Sequence, residues 1–108
     1  MKYAVITGGS GQLGKSYIKT LLRDNYFVYS IDVKPSSMKS KNFKSIILDI
    51  TNEIDVKEFY KSINRIDLLV NNAGIGVFTP TLERTSKEFL KVMNVNLVGN
   101  FIMSQNAI

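Results

Sequence analysis

The stretch Thr7-Gly8-Gly9-Ser10-Gly11-Gln12-Leu13-Gly14-Lys15-Ser16 has the composition of a phosphate-binding loop. Its glycines permit a tight turn and let a phosphate approach the backbone. A helix starting behind the loop would add free N–H groups and a favourable dipole. Two motifs overlap here. Glycines at 8, 11 and 14 form a widened G-x-G-x-x-G dinucleotide fingerprint. Gly9-x-x-x-x-Gly14-Lys15-Ser16 also matches the P-loop pattern G-x-x-x-x-G-K-[ST]. In the P-loop reading, Lys15 holds the β- and γ-phosphates and Ser16 ligates Mg²⁺. A plain glycine turn with an exposed lysine is a third reading. The loop alone leaves the three open.

Two acids and two amides extend the constellation. Asp32 stands 18 residues beyond Gly14, at the end of an apolar run. A carboxylate there can accept hydrogen bonds from an adenosine ribose diol. It repels a 2′-phosphate and so favours NAD over NADP, although Lys34 and a basic stretch stand close by. Its bland alternative is a turn residue at a strand end. Asp49 ends a later apolar run in the same way. It reads either as a contact to the adenine amino group or as a capping turn with Thr51. A P-loop protein also wants an acidic strand end for Mg²⁺, so neither acid separates the two motifs. Asn71-Asn72-Ala73-Gly74 does separate them if its strand lies beside the first one. Both turns then face one crevice, with small residues leaving room for a ring and amides to orient it or tie the strand ends. Asn96 falls on an apolar helical stripe. It is either a satisfied core amide or a site residue holding a water or a backbone carbonyl.

The elements that must position these residues follow from periodicity. Residues 2–7 read as a strand ending in the glycine cluster. Tyr17, Ile18, Leu21 and Leu22 give the helix after Gly14 one buried stripe. Gly14 lies on it, where a glycine allows close approach to a sheet. Asp24-Asn25 breaks that helix. Residues 27–32, 45–50 and 66–70 are further strands. The continuous apolar centre of 45–50 predicts a strand covered on both faces. Thr51-Asn52 caps a helix with Val56, Phe59, Tyr60 and Ile63 on one side. Thr85-x-x-Glu88 is a capping-box pattern. It opens a helix with Phe89, Val92, Met93 and Asn96 on one face, which continues, with or without a break, toward Leu97, Phe101, Ser104 and Ile108. Strands alternating with helices predict an α/β fold with a parallel sheet and right-handed crossovers. The segment 33–44 is near the minimum for a crossover and lacks helical periodicity.

Composition bounds the rest. The chain has 108 residues, about one domain's worth. It is 44% hydrophobic and 21% charged, which excludes a disordered segment. It has no Cys and no His. That excludes disulfide scaffolds, thiolate or imidazole metal sites and His-based acid–base chemistry. No apolar run reaches the roughly 18 residues of a membrane span, and the first residues are too short a run for a signal peptide. A cytoplasmic protein with no membrane partner is expected. The net charge of +5 arises mainly from 33–48, where Lys34, Lys39, Lys41 and Lys44 meet no acid. With only Phe43 as an aromatic there, a solvated loop is expected rather than a nucleic-acid site. The last helical pattern ends on Ile108 without a stop signal. The chain is therefore expected to be half of a doubly wound sheet.

Together, TGGSGQLG at 7–14, Asp32, LDIT at 48–51, LLVNNAG at 68–74 and MNVNLVGNF at 93–101 resemble the short-chain dehydrogenase/reductase family. The resemblance implies a Rossmann-type doubly wound parallel sheet, with its N-terminal half present in strand order 3-2-1-4. It makes residues 1–108 one NAD(P)-binding domain, incomplete at its C-terminus. It implies NAD(P)-dependent oxidation of an alcohol or reduction of a carbonyl of a small molecule. By similarity Gly8, Ser10, Gly11, Gln12, Leu13 and Gly14 carry the pyrophosphate, and Asp32 binds the ribose. Asp49 and Ile50 flank the adenine. Asn72, Ala73 and Gly74 line the adenosine side of the crevice. Asn96 matches the family's catalytic Asn, which anchors a proton-relay water. Family helices near 96–108 build dimers or tetramers, so a homo-oligomer is expected at full length.

The chain departs from the family's pattern twice. Gln12 stands where the commonest subfamily has Gly. The family's catalytic Tyr-x-x-x-Lys is missing, since no tyrosine (3, 17, 26, 29 or 60) is followed four residues on by Lys. The chain is thus expected to be the dinucleotide-binding part, without turnover alone; a P-loop NTPase using Gly9–Ser16 and a non-catalytic nucleotide-binding module are the alternatives.

Overall fold

The computed structural model describes residues 1–75 and 80–108. The chain runs β1 (Lys2–Thr7), α1 (Gln12–Arg23), β2 (Tyr26–Asp32), β3 (Phe43–Ile47), α2 (Glu53–Ser62) and β4 (Leu68–Val70). A 3₁₀ turn (Thr81–Glu83), α3 (Ser86–Met93), a π-helical segment (Asn94–Gly99) and α4 (Asn100–Ala107) follow. Among the described residues the strands form one parallel sheet in the order β3-β2-β1-β4. This is the N-terminal half of the doubly wound arrangement expected from the sequence.

β1 is central, so Ala4, Val5 and Ile6 are fully buried. Its alternation feeds two cores. Ile6 meets Ile18 of α1 and Val28 on one face, with Leu21 and Leu22 packed alongside. Val5 and Ile31 face the other side, against Val56 and Phe59 of α2 and Ile102 and Met103 of α4. Asn25 ends α1 at φ 65°, a left-handed conformation that asparagine tolerates better than most side chains. The crossover after β2 holds no helix. Serine hydroxyls brace it instead: Ser36 Oγ accepts from Met38 N, and Ser45 Oγ accepts from Ser36 N.

Three expectations need correction. β3 covers Phe43–Ile47 rather than 45–50. Its ladder pairs Val28 with Phe43 through Asp32 with Ile47. Leu48 and Ile50 leave the ladder yet remain buried, because they turn into the second core. β3 is not covered on both faces either. It lies at the sheet edge, and Ile47 is 66% exposed. Third, the stripe of α3 does not reach this core: Phe89 is 52% exposed. Of the two ways in which this helix could continue, the structure shows the unbroken one, through the π segment into α4.

The entry to β4 is firmly tied. Asp67 N donates to Tyr3 O, and the Asp67 carboxylate accepts from Tyr3 N at 2.8 Å and from the Arg65 guanidinium. These donors, the Arg65 hydrogen bond foremost, hold the Asp67 carboxyl below the usual carboxylate range.

Candidate functional site

A cleft of about 480 Å³ opens at the C-terminal ends of the strands. β1 and β4 lie side by side here while the chain has crossed from β3, which is the switch point where open α/β sheets bind ligands. The glycine loop forms one wall and the turn after β4 forms the other.

Close backbone approach explains the glycines at 8 and 14. Gly8 has φ +69°, and a Cβ there would lie 2.9 Å from Ala73 Cα. A Cβ on Gly14 would run into the Gly8 carbonyl and lie 2.8 Å from Gly9 Cα. The loop therefore sits directly between helix, sheet and opposite wall. Gly8 N donates to Ile31 O at 2.8 Å, which fixes it to β2. Gly11 is the N-cap of α1 and supplies no side-chain cap. The N–H groups of the first turn of a helix have no intrahelical partners. At Gln12, Leu13 and Gly14 they stand where the cleft begins.

The opposite wall is stitched to β1. The buried Thr7 hydroxyl accepts from Asn72 N and Ala73 N, each at 3.0 Å. Asn72 Nδ2 donates to Gly8 O at 3.2 Å. Asn71 Nδ2 donates to Ser104 Oγ on α4 at 2.9 Å. The amides of this turn thus tie strand ends together, one of the two roles their type suggests.

Asp32 lies at the cleft. Its Oδ2 accepts from Ser10 N at 3.0 Å and its Oδ1 from Lys34 N at 3.1 Å. Asp49 also lines the cleft, and its Oδ1 caps the next turn by accepting from Thr51 N and Thr51 Oγ1. The capping turn with Thr51 is thus the reading that the hydrogen bonds show. Asn96 is exposed rather than in the core. Its Oδ1 accepts from Ile75 N at 2.8 Å and its Nδ2 donates to Ile75 O at 2.9 Å. The side chain thus grips the backbone of one residue from both sides. The Asn96 carbonyl accepts from Asn100 Nδ2 at 2.8 Å.

Of the expected site residues, Gly8, Gly11, Gln12, Leu13, Gly14, Asp32, Asp49, Ile50, Asn72, Ala73 and Gly74 line this cleft. Ser10 and Asn96 do not, and each instead holds a residue or a turn at its edge. Lys15 and Ser16 also stay off the lining, so this cleft is built by the residues of the dinucleotide motif and not by the lysine and serine of the P-loop motif. The patterning did not single out Ile31, Val33, Leu48, Ile75 and Val95 as site residues, yet they supply the cleft's aliphatic lining. Val33 follows Asp32 directly and stays 61% exposed. The pattern offers no signal for it, since its exposure shows only in the folded chain.

Comparison with known proteins agrees with this geometry. The family model for short chain dehydrogenase matches residues 2–108. A 3-oxoacyl-[acyl-carrier-protein] reductase of Buchnera aphidicola is 34% identical over 99% of this chain and 48% of its own length. A diacetyl reductase of Staphylococcus epidermidis is 28% identical over 98% of this chain and 46% of its own. A short chain dehydrogenase of Leptospira borgpetersenii, solved with bound NAD+, superposes with a TM-score of 0.94 at 40% identity. It is covered over 44% of its length by 98% of this chain. The chain thus spans about half the length of the relatives it matches. With sheet order, glycine loop and cleft all in the arrangement its sequence resembles, the chain belongs to the short chain dehydrogenase family.

Proposed function

We propose that this chain is the dinucleotide-binding part of an NAD(P)-dependent oxidoreductase that interconverts a small alcohol and its carbonyl compound. One observation carries the reading: the glycine loop, Asp32 and the Asn72–Gly74 turn line a single cleft at the switch point. The NAD+ bound by the leptospiral relative supports the choice of ligand. Glycines at 8 and 14 let the loop pack directly on its own backbone and on the opposite wall, so the first-turn N–H groups of α1 stand at the cleft with no side chain between.

In this reading the backbone of Gly8, Gly11, Gln12, Leu13 and Gly14 holds the pyrophosphate, with Ser10 completing the loop. Asp32 accepts from the ribose hydroxyls with the lone pairs left beyond Ser10 and Lys34, which favours NAD over NADP. Asp49 and Ile50 flank the adenine. Asn72, Ala73 and Gly74 line the adenosine side. Asn96 holds the Ile75 backbone at the cleft and anchors the water of a proton relay. The bound nicotinamide supplies or accepts the hydride. A proton must move with that hydride. No Tyr-x-x-x-Lys stands within the 108 residues, so this stretch is assigned binding rather than turnover. The reading places the protein in the cytoplasm, as a homo-oligomer at full length, with neither nucleic acid nor membrane as a partner. No helix among the described residues is long and apolar enough to cross a membrane.

Parallel calorimetric titrations with NADH, NADPH and Mg·ATP test the proposal. Saturable NADH binding, tighter than NADPH, is expected. Binding of Mg·ATP with no response to either dinucleotide would overturn it.

A further inference from the structure

Ser10 belongs to the glycine loop but spends both of its donors elsewhere. Its N–H goes to Asp32 Oδ2 at 3.0 Å, and its hydroxyl goes to the Lys34 carbonyl at 2.8 Å. Asp32 Oδ1 closes the ring by accepting from Lys34 N at 3.1 Å. Lys34 is thereby held at both its N–H and its C=O, although it is an exposed residue in a crossover without regular structure. Asp32 and Val33 line the cleft, whereas Ser10 and Lys34 do not. The ring therefore presents the carboxylate to the cleft and keeps the lysine off it.

We propose that Ser10 is a specificity-determining positioning residue, whose hydroxyl clamps the Asp32–Lys34 turn and so sets the preference between dinucleotides with and without a 2′-phosphate. The inference rests on the dinucleotide reading above. A ribose 2′-hydroxyl donates to a fixed carboxylate. A 2′-phosphate brings about 1.5–2 negative charges and needs a cation in the same place. Cations are at hand: residues 33–48 carry Lys34, Lys39, Lys41 and Lys44 and no acid. The first of them, Lys34, is off the cleft lining while its backbone is held at both ends. In Ser10→Ala the backbone N–H still reaches Asp32, but the Lys34 carbonyl is released. The turn then loosens at the lysine end, where a cation can swing toward a phosphate.

Affinities for NADH and NADPH, measured by calorimetry on the purified protein, Ser10→Ala, Ser10→Thr and Ser10→Ala/Lys34→Ala, test this. The NADH-to-NADPH affinity ratio should fall at least fivefold in Ser10→Ala, chiefly through tighter NADPH binding. Ser10→Thr keeps a hydroxyl and should restore the ratio. Removing Lys34 in the Ala background should abolish the gain. A purely structural role would weaken both ligands together and leave the ratio unmoved, which would overturn the proposal. So would a gain that survives loss of Lys34. Failure of the unsubstituted protein to bind either dinucleotide would instead take down the reading on which it rests.

Discussion

Gly14 packs against the Gly8 carbonyl so closely that no side-chain atom fits between them. Gly14→Ala sets two effects against each other. Alanine gains about 1 kcal/mol of helix propensity over glycine. Overpacking a closed contact costs about 1–3 kcal/mol. The opposing atoms are backbone and cannot rotate away, so the clash wins. A net loss of about 1 kcal/mol in urea unfolding is expected, with NADH affinity down at least tenfold. Gly11→Ser is the contrast. A Cβ there meets only Gly8 O at 3.5 Å, an ordinary contact. Serine also caps a helix better than glycine by a few tenths of a kcal/mol, roughly. Stability should hold or rise slightly. An unshifted midpoint for Gly14→Ala would mean that the loop has slack.

Thr7→Val keeps the shape of the side chain and deletes its hydroxyl. Asn72 N and Ala73 N then lose their shared acceptor. Leaving partly buried donors unpaired should cost about 2 kcal/mol. The cost should appear as a lower urea midpoint together with weaker NADH binding, because these amides hold one wall of the cleft. Thr7→Ser should lie near the unsubstituted protein in both measurements. Equal stability of the Val and Ser variants would refute the argument.

Charge removal distinguishes the two nucleotide motifs. Lys15→Ala should leave NADH affinity within about twofold, since Lys15 is off the cleft lining. Asp32→Ala should weaken NADH at least tenfold, about 1.4 kcal/mol, and narrow its margin over NADPH. The reverse pattern in a titration series would restore the P-loop motif.

Tyr60 predicts an alkaline limit. Burial pushes its phenol up to about 12, and its hydroxyl donates to Met103 O at 3.1 Å. The folded state therefore keeps a proton that the unfolded chain gives up near the ordinary phenol value of 10.0. Stability is fully present below that pH and falls as pH rises toward 12, because the folded form binds more protons in the window. Tyr60→Phe should lose about 1 kcal/mol at neutral pH and show a shallower alkaline decline. Parallel pH profiles of the two proteins would contradict this assignment.

Much of the fold was legible because hydrophobic period and glycine chemistry agree along the chain. β1, α1 and β2 follow from apolar runs punctuated by Gly8 and Asn25. The sheet order follows from alternating elements and the family pattern. β3 was misplaced because Leu48 and Ile50 are as apolar as Ile46 and Ile47. Period cannot tell a strand from a buried extension beyond its ladder. The face of α3 was misread for a related reason: pattern shows that Phe89 and Met93 form a stripe, but not what covers it. In the site, backbone-driven positions such as Gly8 and Gly14 were readable. The grip of Asn96 on a backbone carbonyl was one of its two readings, but the carbonyl's owner, 21 positions away, was not legible; nor was the contribution of Ser10, which acts through a backbone carbonyl 24 positions away. Such pairings appear only once the chain is folded.

The partners of Thr7 also set an order of events. Its hydroxyl waits for an amide 65 residues later in the chain. At synthesis rates of about 5–20 residues/s, that gap lasts roughly 3–13 s on the ribosome. Throughout it, the central strand has one open edge, a template for pairing with a stranger. A dinucleotide cannot shield that edge, because the cleft needs a wall not yet made. Nascent chains arrested before and after β4 should therefore differ sharply in protease resistance. Cellular yield of variants should follow how quickly β4 pairs with β1, more than how tightly the finished cleft holds its ligand.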